Sequence, residues 1–93
     1  MKLPIDYTKA HWTVRKEARL QYIKEQYGLC WFCKQQLTKE PSKEVSILRI
    51  NERLFPKNFF SFPIHLHHDH KTGLTIGAVH AKCTAVLWQY HGE

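Results

Sequence analysis

Two short pairs far apart in the chain constrain its fold more than anything else in it: Cys30-Trp31-Phe32-Cys33 and His80-Ala81-Lys82-Cys83. Each sets two soft or borderline donors at a two-residue spacing, and two thiolates so spaced on a tight turn can chelate one tetrahedral ion. A CxxC alone also serves as a redox pair. The second pair decides for a metal: Cys30, Cys33, His80 and Cys83 make a complete Cys₃His set that uses every cysteine of the protein, and such a set suits structural Zn²⁺. The chain needs the staple. Its 93 residues leave room for one domain, 1–93, which buries only roughly 60–65% of its unfolded surface, so a hydrophobic core alone is marginal.

Three cysteines cannot all pair as disulfides, no stretch resembles a signal peptide, and the longest apolar run is far below the roughly 18 residues of a membrane span. These features predict a reduced, cytoplasmic protein with no membrane partner. Fourteen Lys and Arg against eight Asp and Glu leave a formal charge of +6, interleaved with 3 Trp, 4 Tyr and 5 Phe. That suits a polyanionic partner such as nucleic acid, although a solvated basic surface has the same composition.

The elements are expected in the order helix, strand, strand, helix, an α+β arrangement. Residues 1–12, with Pro4, read as an irregular arm. Thr13 is the expected N-cap of a helix from Val14 to Tyr27, with Gly28 in a left-handed conformation after it. On this helix Leu20, Ile23 and Tyr27 form the expected core side, and Arg15, Lys16, Arg19 and Lys24 include positions pointing away. Val45 to Phe62, with Arg49, Arg53 and Lys57, reads either as a helix or as two extended pieces, its aromatics forming a small hydrophobic annex. Pro63 to His68 reads as a strand, Lys71-Thr72-Gly73 as a turn, Leu74 to Val79 as the returning strand, and His80 to Tyr90 as a helix carrying Ala81, Ala85, Val86 and Leu87.

The densest chemistry lies at the first strand's end: His65, His67, His68 and His70 within six residues, beside Asp69. Imidazoles crowded together oppose one another's protonation, and a metal or phosphate between them removes the conflict. Histidine is also the side chain whose ordinary pKa suits proton removal near neutral pH. Asp69 has two readings, an orienting or metal-binding carboxylate and a turn former. Neighbours on a strand point to opposite faces, so His67 and His68 can share one site only where the strand ends or bulges.

HLHHDH, then KTG, then GAVHAKC and a short helix ending in LWQYHGE, resembles the phage-type HNH nucleases, including the recombination endonuclease VII group; CWFC extends the likeness to the first zinc knuckle. The resemblance implies a zinc-stapled ββα-metal (HNH/His-Me finger) domain with its core at 63–93, knuckles at 30–33 and 80–83, and metal-dependent hydrolysis of DNA phosphodiesters in a host cytoplasm. Carried over by position, His67 would bind a catalytic Mg²⁺ or Mn²⁺, His68 would act as general base, and His70 would hold the phosphate. Arg15, Arg19, Arg49, Arg53 and Lys71 are the candidate DNA contacts.

Two positions depart from the family pattern. Thr84 stands where Asn or His usually supplies the second protein ligand of the catalytic metal, and a hydroxyl is a poorer donor. It would bind through water, hold the ion weakly, or mark an inactivated, DNA-binding relative. Ile76 stands where the endonuclease VII group often has Arg. His80, one helical turn before Thr84, is an alternative ligand for the catalytic ion. Oligomeric state and DNA form are not legible in the sequence.

Overall fold

The computed structural model describes residues 1–92; Glu93, the last residue of LWQYHGE, lies outside the described residues. The elements are α1 (Trp12–Glu25), a single turn α2 (Lys43–Ser46), two 3₁₀ turns (Glu52–Leu54 and Phe59–Ser61), β1 (Ile64–His68), β2 (Thr75–His80) and α3 (Ala81–His91). Strands β1 and β2 pair antiparallel in a two-stranded sheet, and α3 follows β2 directly. The chain is therefore a mixed helix and two-strand protein with a strand-strand-helix order at its C-terminal end. No helix among the described residues is long and apolar enough to cross a membrane.

Several boundaries differ from the sequence expectation. The N-cap of α1 is His11, whose Nδ1 accepts from the backbone N–H of Thr13, so the helix begins earlier than a Thr13 cap allows. It also ends earlier, at Glu25, because Tyr27 and Gly28 both have positive φ, 56° and 75°. Tyr27 consequently leaves the helix face and is 91% exposed, Leu20 is exposed as well, and the side that faces inward carries Ala18, Tyr22 and Ile23. His80 ends β2 and caps α3 rather than opening the helix. Val45 to Phe62 is neither a long helix nor extended: it breaks into short turns whose Phe55, Phe59 and Phe60 rings pack on one another and, through Phe55, on Trp88.

The arm is ordered against the sheet. Thr75 N–H donates to the Ile5 carbonyl (3.0 Å), Tyr7 N–H donates to the Gly73 carbonyl (2.7 Å), and Ile5 N–H donates to Thr75 Oγ1 (3.0 Å). Asp6 pairs across from Leu74 as an isolated bridge. Periodicity could not show this, since one bridging residue carries no alternating pattern.

Farther along β2, on the edge not paired with β1, the Gln26 side-chain amide imitates a strand. Its Nε2 donates to the Ala78 carbonyl (2.9 Å) and its Oε1 accepts from Ala78 N–H (2.9 Å). Trp31 N–H donates to the same carbonyl at 3.0 Å. Gly77 lies beneath: a Cβ there would stand 2.8 Å from Gln26 Oε1 and 3.0 Å from Trp31 Cβ. Gly77→Ala should accordingly lower stability by about 1–3 kcal/mol through overpacking, read as a reduced midpoint of thermal unfolding.

The core consists of Cys30, Leu37, Val45, Ala78, Val79, Cys83 and Val86, flanked by partly buried residues including Tyr22, Ile23 and Phe32. Its largest fully buried side chains are Val79, Val86, Cys30 and Cys83. Leu37 and Leu87 are buried as well, and the thiols of Cys30 and Cys83 lie within this cluster of mostly small apolar side chains.

Candidate metal centre and histidine cleft

The knuckle hairpin and the β2–α3 junction bring the four expected ligands together. Leu37 N–H donates to the Gly28 carbonyl (2.9 Å), Cys30 N–H to Gln35 (2.8 Å) and Lys34 N–H to Cys30 (3.0 Å), closing a turn that presents Cys30 and Cys33. Their sulfurs, His80 Nδ1 and the Cys83 sulfur all lie within 4.8 Å of one another. Cys30 Sγ stands 3.6 Å from Cys83 Sγ, and His80 Nδ1 stands 3.4 Å from Cys33 Sγ and 3.6 Å from Cys83 Sγ. Ligands about 2.0–2.3 Å from a tetrahedral ion have edges of about this length. The group is positioned to hold one metal ion, and its three sulfurs and one imidazole suit zinc.

The surroundings support the same use. His80 Nε2 donates to the carbonyls of Gln36 and Lys39, each at 2.9 Å, which fixes the tautomer that leaves Nδ1 as a lone-pair donor. The hydrogen bond with Cys83 holds Cys30 toward the thiolate, while the same contact and burial push Cys83 up. A proton shared between two buried sulfurs is what a cation in their midst replaces. His80 thus belongs to the thiol cluster, and the alternative that placed it with the second metal loses its geometric basis.

At a β-bulge lies a cleft. His67 pairs with Gly77 and His68 with Thr75, so Ile76 is an extra residue on β2 and the register shifts between the two histidines. The bulge required for neighbouring histidines to share a site is present, although it is on the partner strand. One lobe of the cleft, about 290 Å³, is lined by His67, His68, Asp69, His70, Lys71, Ile76, His91 and Gly92. The other, about 300 Å³, shares the three strand-end histidines and adds Thr84 and Trp88 of α3, Tyr7 of the arm and the Phe55 and Phe59 rings.

His67 is 2% exposed and packs beside Trp31, with ring centres 5.6 Å apart. His68 is stacked on Tyr7 at 3.9 Å with the planes 5° apart. Its pKa lies below the ordinary histidine value, chiefly because burial disfavours the charged ring, with His70 and His67 adding like-charge repulsion. Neutral His68 is therefore available as a base near pH 7. His70 stands 4.8 Å from His68, centre to centre. His65 also lines the second lobe, where it donates Nε2–H to the Phe59 carbonyl (2.9 Å); burial lowers its pKa.

Asp69 takes the turn role. Its carboxylate accepts from Lys71 N–H (2.7 Å) and Thr72 N–H (3.3 Å), and these bonds lower its pKa. The Thr84 hydroxyl donates to the His80 carbonyl one turn back, at 3.4 Å. Ile76 presents a hydrocarbon to the cleft where a cation was expected from the resemblance. Of the candidate DNA contacts, Lys71 lines the cleft and Arg15 and Arg19 line an adjacent groove. Arg53 lines a separate depression with Glu52 and Lys57, and Arg49 engages α3 through its carbonyl, which accepts from Gln89 and Tyr90.

Sequence reasoning missed Tyr7 and His91. The signal for His91 was present: Thr84, Trp88 and His91 recur at i, i+4 and i+7 and so share one face of α3. Tyr7 had no such signal. Comparison with protein-family models, with curated proteins and with solved structures gave no match for this chain.

Proposed function

We propose that the chain is a metal-dependent DNA endonuclease of the HNH (ββα-metal) kind, with zinc held by Cys30, Cys33, His80 and Cys83. The observation that carries the reading is the convergence of His67, His68, His70 and Thr84 on one cleft at a β-bulge, beside a Cys₃His group at the junction of the same strand and helix. In this reading His68 removes the proton from the attacking water. Tyr7 holds the His68 ring in place, and Lys71 with His70 binds the phosphate at the cleft mouth. Lining side chains exclude bulk water from the buried end.

A catalytic cation would rest on His67, with Thr84 at one remove. Among the described residues the thiol cluster is the one group of three or more His, Cys, Asp or Glu close enough to hold an ion, so the cleft suits a cation completed by water and substrate phosphate. Imidazole donors favour a first-row transition ion such as Mn²⁺ over Mg²⁺. When bound, such an ion neutralises the phosphate and stabilises charge on the departing oxygen.

The engaged Thr84 hydroxyl favours a second reading, a catalytically impaired DNA-binding module on the same scaffold. Incubation with supercoiled plasmid separates the two: the nuclease converts it to open circles with added Mn²⁺ or Mg²⁺, and the module merely retards it. Thr84→Asn should raise divalent-ion affinity and nicking rate, because an amide oxygen replaces a hydroxyl already bonded to the helix. An unchanged rate and affinity would place the ion away from this helix position.

A further inference from the structure

Along α1, Trp12, Arg15, Lys16 and Arg19 recur at i, i+3, i+4 and i+7 and so form one stripe. This stripe does not face the core, which takes Ala18, Tyr22 and Ile23 from the same helix. With Phe62 it lines a groove of about 690 Å³, and among the described residues no acidic side chain lines that groove. Trp12 is 65% exposed and Phe62 61% exposed, an unusual placement for two large aromatic rings beside three cations. Arg15 is fixed on the groove: its Nε donates to the Tyr7 carbonyl at 2.9 Å and its guanidinium lies 4.0 Å over the Tyr7 ring. Tyr7 lines both the groove and the cleft, and its ring is stacked on His68.

We propose that this groove binds an unpaired single strand of DNA and leads it to His68. Two exposed rings in one groove with a row of cations match a strand whose bases present their π-faces and whose phosphates run alongside. A duplex keeps its base faces stacked inside and could engage the cations alone. The inference names the substrate class of the proposed nuclease and rests on that reading for the chemistry at His68, while the binding itself does not depend on it.

The test is binding of a fluorescein-labelled oligothymidine and of a blunt duplex of equal length to metal-loaded His68→Ala protein, without added Mg²⁺ or Mn²⁺ and without chelator. The single strand should bind more tightly. Trp12→Ala and Phe62→Ala should each weaken it about ten-fold or more with the duplex affinity unmoved. Arg19→Gln should flatten the salt dependence by about 0.7 in the log–log slope. Zinc content and far-UV circular dichroism confirm that each variant is folded. Equal or tighter duplex binding, or ring variants that bind the single strand normally, overturns the groove assignment. A wild type that nicks plasmid while those affinities stay fixed loses the groove and keeps the nuclease; strand binding in a protein that never cuts does the reverse.

Discussion

Stripping the metal from the Cys30, Cys33, His80 and Cys83 site is expected to unfold the whole protein rather than loosen one corner. Zinc bound by such ligands contributes about 10–16 kcal/mol of apparent binding free energy, against a net stability of about 5–15 kcal/mol for an ordinary domain. The comparison decides the outcome because two of the four largest fully buried side chains are themselves ligands, Cys30 and Cys83. Without the ion the core would enclose a buried thiol pair sharing a proton. Chelator should therefore abolish the far-UV helical signal, zinc should restore it, and Cys83→Ser should not accumulate as folded protein. Metal analysis should find about one zinc per chain. A metal-free wild type that melts cooperatively with three titratable thiols would contradict this.

The second large effect is expected at His68. Its replacement by Ala should cut the single-turnover cleavage rate by roughly 10²–10⁴-fold, the usual worth of a positioned general base, with DNA and divalent-metal affinity retained. His67→Ala should fail differently, through weakened metal binding that high Mn²⁺ partly restores. The pH dependence follows from the lowered His68 pKa. A base works when unprotonated, so wild-type activity should rise through a group titrating below the usual histidine value and then level off. The His68→Ala residue of activity should instead keep rising with pH, as hydroxide replaces the missing base. Normal cleavage by His68→Ala, with His67→Ala dead and unresponsive to Mn²⁺, would reverse the two roles.

What the sequence made legible was the part written in fixed spacings. The two ligand pairs are close in sequence within themselves, and their matched spacing survives any detail of the intervening chain; they meet within 4.8 Å. The strand, turn, strand and helix from Ile64 to His91 are likewise readable, since Gly73, with φ of 78°, punctuates a run in which Ile64 and Leu66 alternate with histidines and a second, more apolar run. Features that depend on distant pairing were not. Residues 1–12 read as irregular because their hydrogen bonds go to Gly73 and Thr75, and local sequence has no mark for that. Periodicity puts Tyr27 on the core side of α1, but its left-handed conformation ends the helix before it, and Leu20, on the same expected side, is exposed. The stretch from Leu37 to Phe62 carried no motif, and its order comes from packing of Phe55 on Trp88 and of α2 on α3.

The central claim, hydrolysis of DNA at the histidine cleft, is tested most directly by cutting a defined oligonucleotide in H₂¹⁸O with zinc-loaded protein and Mn²⁺. Mass spectrometry of the fragments should show one ¹⁸O on the terminal phosphate in the wild type and little or no product with His68→Ala. A fully folded, zinc-loaded wild type that leaves single-stranded and duplex DNA intact in Mn²⁺ and Mg²⁺, or yields fragments without the label, would contradict it.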